Sequence, residues 1–219
     1  GSRTVTGDKT LTAADSPYLI DRLGLTVNSG VTLTLEPGTV VKITRPQEPK
    51  LIVRGAIVAN GTALYPVVFT SFADDLYGGD MNADGATTTP AAGDWSQILI
   101  ESPSAGSSFT NTLVRYGGTW FSGATPYASV VLNGASASFN AVTIEYSAKY
   151  GLYLKNSGSQ ITNSTFAFNK RNGGPGLDAA GIFLDGVSGG APSVTNSAFL
   201  ENDFGIRAQS ASGLTAQGN

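Results

Sequence analysis

The chain has no cysteine and no histidine among its 219 residues. Without thiols it can form neither disulfides nor thiolate metal sites. Without imidazole, Ser-His-Asp and Cys-His catalysis are excluded, as is His-ligated zinc. Charge is scarce as well. Charged residues make up 13% of the chain and the net charge is -3, about half the charged share of an ordinary globular protein. The scattered Lys and Arg supply no basic stripe to neutralise phosphates and no cationic face for anionic lipid, so no nucleic-acid partner is expected. No apolar run reaches the length needed to span a bilayer, and no signal-like segment opens the sequence, so membrane insertion is not expected either.

What is present points to β-structure. The 28 glycines and the abundant Thr, Ser and Asn suit tight turns and short strands, and a hydrophobic share of 41% is enough for a continuous core. The second half repeats one phrase. Phe109-Thr-Asn111-Thr-Leu-Val114, Phe139-Asn-Ala141-Val-Thr-Ile144, Ile161-Thr-Asn163-Ser-Thr-Phe166 and Val194-Thr-Asn196-Ser-Ala-Phe199 superimpose without gaps, and a fifth copy is read from Leu214-Thr-Ala216. A unit of roughly 20 to 24 residues with insertions at one place is the mark of a solenoid.

The first third alternates apolar residues with Thr or Lys in Leu25-Thr-Val27, Val31-Thr-Leu-Thr-Leu35, Val40-Val-Lys-Ile43, Leu51-Ile-Val53, Ala56-Ile-Val-Ala59 and Val67-Val-Phe-Thr70. Hairpins would fit this pattern, but the repeats favour a parallel β-helix in which each strand pairs with its equivalent one coil later, at about 4.8 Å. Asn111, Asn163 and Asn196 are then expected at an inward bend, stacked and bonded to the next coil, with Ala141 and Ala216 as small substitutes. Asn169 and Asn202 form a second such row. An inward Asn163 argues against use of the glycosylation sequon Asn163-Ser-Thr165. Gly1-Ser2 reads as a cloning scar. The last repeat stops at Gln217-Gly218-Asn219, so residues 3–219 are expected to be one domain cut from a longer protein.

The run Leu25-Thr-Val-Asn-Ser-Gly-Val-Thr-Leu-Thr-Leu-Glu-Pro-Gly-Thr-Val-Val-Lys-Ile43, with Leu51-Ile-Val-Arg-Gly-Ala-Ile-Val-Ala-Asn-Gly-Thr62 and Pro66-Val-Val-Phe-Thr-Ser71, resembles right-handed parallel β-helix repeat proteins of bacterial secreted and cell-surface polypeptides. The resemblance covers nearly the whole chain. It implies an all-β, right-handed, single-stranded parallel β-helix with Asn-stacked turns and one long loop insertion, and an extracellular address. It is weak for activity, because that family includes adhesins, carbohydrate-binding pieces, polysaccharide lyases and hydrolases on one scaffold.

The insertion, residues 73–94, carries chemistry. Asp80, Asn82, Asp84 and Gly85 reproduce the first half of a calcium loop, D-x-N-x-D-G, in which alternate side chains converge oxygens on one hard cation and the carbonyl of the next residue, Ala86, adds another. The position of the final Glu in an EF-hand is held by Ala91. The last carboxylate must therefore come from elsewhere, first from Asp94, next from Asp74 or Asp75. A structural calcium would offset the entropy of ordering a long loop and the mutual repulsion of its carboxylates.

A second site is read from the strands Ile98-Leu-Ile-Glu101, Val130-Val-Leu-Asn133, Leu152-Tyr-Leu-Lys155, Ile182-Phe-Leu-Asp185 and Ile206-Arg-Ala-Gln209. The period of two sends Leu99, Val131, Tyr153, Phe183 and Arg207 outward as one row, and Glu101, Asn133, Lys155, Asp185 and Gln209 as another. Rings beside carboxylates, amides and a Lys suit a sugar chain. The plainer reading covers Tyr153 and Phe183 with the insertions Gly117 to Tyr127 and Arg171 to Ala180, and pairs Lys155 with Asp185. Lys155, Asp185 and Arg207 would also be the base and charge partners of a polysaccharide lyase, and carboxylates those of a glycosidase. The expected role is a non-catalytic, monomeric, secreted or surface-attached module that contacts carbohydrate or serves as an adhesive or stalk. A lyase or hydrolase fragment is the alternative.

Overall fold

A computed structural model describes residues 3–44, 50–101, 104–119, 126–170, 178–186, 190–209 and 213–219; Gly1-Ser2 lies outside them. Among the described residues, the alternating positions form short strands in three sheets of eight, eight and seven strands. The first sheet runs from Arg3–Val5 through Leu25–Val27, Lys50–Val53, Gln97–Glu101, Ala128–Asn133, Tyr150–Lys155 and Ala180–Asp185 to Phe204–Gln209. The second runs from Lys9–Leu11 to Thr215–Gln217, and the third from Tyr18–Ile20 to Ala198–Leu200. Among the described residues all pairings are parallel and each strand pairs with its equivalent one coil away, so these strands form no hairpins. A single 3-10 turn, Ala13–Asp15, is the one helical element among the described residues. Among the described residues no helix is long and apolar enough to cross a membrane.

Alternation fills the interior in columns. Val27, Val53, Ile100, Leu132, Leu154 and Leu184 follow one another in register up the first sheet, all buried. Phe109 and Phe139 stack at 5.0 Å within the second sheet, and Phe166 and Phe199 at 5.4 Å within the third. Flat rings repeat well at the rung spacing, so parallel stacking extends the column without leaving gaps.

The asparagine rows separate into two kinds. Asn111, Ala141, Asn163 and Asn196 hold the bend between the second and third sheets with φ of 43°, 54°, 52° and 49°. Asn tolerates this left-handed region better than most residues. These side chains do not point inward: Asn163 and Asn196 are exposed, which corrects their expected position and removes the argument against the sequon. The ladder belongs to the next residue. Ser164 Oγ accepts from Val142 N at 3.1 Å, Ser197 Oγ from Ser164 N at 3.2 Å, and Asn219 Oδ1 from Ser197 N at 2.9 Å. The final copy is also re-registered. Val194 faces Ala216, so Gly218, φ 65°, takes the bend assigned to Ala216.

Asn169 and Asn202 form a true interior ladder at the bend from the third sheet to the first. Asn169 Oδ1 accepts from Ser147 N at 3.0 Å, and its Nδ2 donates to Ile144 O at 3.1 Å and to Asn202 Oδ1 at 2.9 Å. Asn202 Nδ2 donates to Phe166 O at 2.8 Å.

Candidate metal centre and outer face

Between Ser71 and Gln97 the chain leaves the wall and lies along the third sheet. The D-x-N-x-D-G turn folds around Asp80, whose Oδ1 accepts from Asp84 N at 3.2 Å and Oδ2 from Gly85 N at 2.8 Å. Ala83 at φ 56° and Gly85 at φ 72° make that tight reversal. It brings carboxylate oxygens of Asp75, Asp80 and Asp84 within 4.8 Å of one another. Asn82 Nδ2 donates to Asp84 Oδ2 and to Thr88 Oγ1, both at 2.9 Å. Three oxygens, Asp75 Oδ1, Asn82 Oδ1 and Asp84 Oδ1, are shut off from solvent and have no donor within reach among the described residues.

A buried acceptor left unsatisfied costs about 1 to 3 kcal/mol. Oxygen donors alone, on a flexible turn, are the set a hard cation such as calcium takes. Lys42 supplies part of the local positive charge. It is fully buried in the third-sheet strand Val40–Ile43, and its Nζ donates to Gly79 O. Burial pushes its pKa below the ordinary value despite the pull of Asp75, Asp74 and Asp80. Among the described residues, three carboxylates against the Lys42 ammonium leave two negative charges, the complement of a divalent ion.

Asp94 and Asp74 do not join this group, contrary to the sequence ranking; Asp75 completes it. Asp94 is buried where the loop rejoins the wall, accepting from Ser71 Oγ at 2.6 Å and Ala91 N at 3.0 Å. Asp74 is buried beside Thr70 Oγ1 and 3.7 Å from Arg115 Nη1. Arg115 in turn lies 3.1 Å from Glu145, with its guanidinium 4.6 Å from the centre of the Tyr116 ring. Burial pushes the Glu145 carboxyl up, and Arg115 opposes it. Ala86 is exposed on the turn, where Thr87 N bonds Asp84 O.

On the first sheet the predicted rows are in register, Leu99 with Val131, Tyr153, Phe183 and Arg207, and Glu101 with Asn133, Lys155, Asp185 and Gln209. The rings are not displayed, however. Tyr153 is 9% and Phe183 5% exposed, stacked at 5.3 Å in an apolar cluster separate from the core. Covering by the two insertions falls largely on residues outside the described set, but their flanks take part: Lys149 bonds Asp178 at 2.8 Å and lies 5.4 Å from the Tyr127 ring centre. No ion pair joins Lys155 to Asp185 among the described residues. Asp185 Oδ2 instead accepts from the Tyr153 hydroxyl, and burial together with that bond raises the phenol's pKa. Glu101 pairs with Arg54 at 3.3 Å. A cleft of about 70 Å³ opens between Glu101, Asn133, Tyr153 and Lys155.

Residues 128–219 match the family model described as the right handed beta helix region. The fold is a right-handed parallel β-helix. No curated protein and no solved structure matches the chain.

On this β-helix the residues of the lyase reading lie on consecutive rungs, Lys155 in register with Asp185 and Arg207 with Phe183. Asp185 is engaged by Tyr153. Arg207 Nη1 donates to Asp178 O at 2.9 Å and its guanidinium lies 5.8 Å from the Phe183 ring centre. Both charged groups are thereby used in fixing the outer face. The sequence reading missed Lys42 and Arg115. The available signal was a cation at an outward position of the strand wall, next in space to an acid-rich insertion.

Proposed function

We propose that this chain is a non-catalytic β-helix module of a secreted or cell-surface protein, with a structural calcium in the insertion and a polar outer row that contacts carbohydrate or another surface ligand. The observation that carries this reading is the trio of solvent-excluded oxygens on Asp75, Asn82 and Asp84 beside Asp80, without a donor among the described residues. Calcium at that point satisfies all three at once and ties the long loop to the wall. The extracellular address follows from the resemblance and suits a site that fills at the high calcium levels found outside cells. For the contact surface, the support is the ladder of Glu101, Asn133, Lys155 and Asp185 on consecutive rungs, where hydroxyl-rich chains meet donors and acceptors at a regular interval.

Two measurements test it. Calcium at a hundred times its Kd should raise the melting temperature by roughly 5 to 10 °C, and a chelator should reverse the rise; an unchanged melting curve removes the calcium claim. A glycan array and a polysaccharide turnover screen, run with and without calcium, should give retention without product. Unsaturated or reducing-end product would instead establish a lyase or glycosidase.

A further inference from the structure

The insertion leaves the third coil at Ser71 and returns in the fourth at Gln97, yet its contacts run far beyond those two coils. At one end Gly78, φ 75°, sits so tightly on the first and second coils that a Cβ there would come within 2.9 Å of Pro17 Cβ and 3.3 Å of Lys42 Cε. The neighbouring Gly79 carbonyl takes the Lys42 ammonium. Met81 closes one side of an apolar cavity of about 440 Å³ at the mouth of the first coil, opposite Pro17, Tyr18 and Leu25. At the other end Asp74 faces Arg115 of the fourth coil, which reaches Glu145 of the fifth. Gly93 N donates to Tyr116 O at 3.1 Å, and a Cβ on Gly93 would lie 3.1 Å from the Ala148 methyl, at the turn into the sixth coil.

Coils of a solenoid touch only their neighbours, so an end coil can fray by breaking a single interface. A segment that touches the first five coils adds a link between coils that otherwise have none. The carboxylate cluster straddles the tightest part of this segment. Asp75 lies before, and Asp80 and Asp84 after, the two left-handed glycines that grip Pro17 and Lys42. An ion bridging these carboxylates closes a short ring around Gly78 and Gly79 and fixes the most flexible part of the contact.

We infer that the insertion is a lengthwise fastener for the N-terminal coils, and that a divalent cation held by Asp75, Asp80 and Asp84 sets how firmly it grips; this rests on the calcium reading above. Without the ion the first two coils open independently of the rest. With it they share the stability of the third to fifth.

Hydrogen exchange read by mass spectrometry on the whole chain, with calcium binding measured separately by calorimetry, tests this. Calcium at a hundred times its Kd should slow exchange in Tyr18–Ile20 and Val40–Ile43 by up to about a hundredfold, with no change in Tyr150–Lys155 and Ala180–Asp185. The variant Lys42→Met should bind calcium at least as tightly, yet lose the calcium-dependent protection of the first two coils. Calcium binding with added protection confined to residues 72–96 overturns the fastener and leaves the calcium site standing. Absence of any binding overturns both.

Discussion

Asn169 is wholly enclosed and serves three backbone or side-chain groups on neighbouring coils. Replacing it with Ala strands the Ser147 amide and the Ile144 carbonyl, so Asn169→Ala should lower stability by about 3 kcal/mol, read as a fall in the urea midpoint at constant slope. Asn163 is a contrasting case. Its exposed side chain makes one bond, to Asn140 Oδ1 at 3.0 Å, and its left-handed backbone suits glycine, so Asn163→Gly should stay within about 0.5 kcal/mol of the parent. Both kinds of position recur as Asn in the sequence because two different demands, a positive φ and an interior amide ladder, select the same residue. A repeat alignment finds the bends but cannot say which demand operates at each. The spacing thus points to Asn111, Asn163 and Asn196 as the ladder, whereas the residue that follows the bend carries it, as at Ser164 and Ser197.

At the scale of the strand, periodicity predicts which side a residue takes and says nothing about what later covers that side. The register of Leu99, Val131, Tyr153 and Phe183 was therefore legible, whereas their burial was not. The same limit hid Lys42, which looks like any outward lysine of an alternating strand until the insertion closes over it. The first-sheet outer face also makes a pH-dependent contribution. The Tyr153 phenol is held protonated, its pKa lying above the ordinary 10.0 because of burial and the Asp185 carboxylate. A folded-state pKa raised in this way stabilises the fold fully below pH about 10, and the contribution is lost as pH rises from there through the folded value. Thermal melts between pH 9 and about 12 should show a falling midpoint that is shallower in Tyr153→Phe; equal slopes in the two proteins would separate Tyr153 from the alkaline loss.

At the scale of the molecule, the stacking of coils was readable from the repeated phrase, and the metal loop from its D-x-N-x-D-G spacing. The path of the insertion was not, because a long loop carries no period that ties it to a wall. Its attachments depend on single residues far apart in sequence, Pro17, Lys42 and Arg115, that a pattern search treats as ordinary strand or turn positions. Leu214-Thr-Ala216 imitates the opening of Val194-Thr-Asn196 and so points to Ala216 as the bend, but the aliphatic pairing of Val194 with Ala216 sets the register and gives the bend to Gly218.

The junction where the insertion rejoins the wall also supplies an optical reporter. Trp95 is completely enclosed there, with its indole nitrogen donating to Arg115 O at 2.9 Å and its ring packed over Gly117. In a Trp120→Phe background it becomes the sole indole of the chain. Its emission should then lie at short wavelength and shift to the red when the loop comes away from the wall, so that a fluorimeter can follow attachment of the segment in real time.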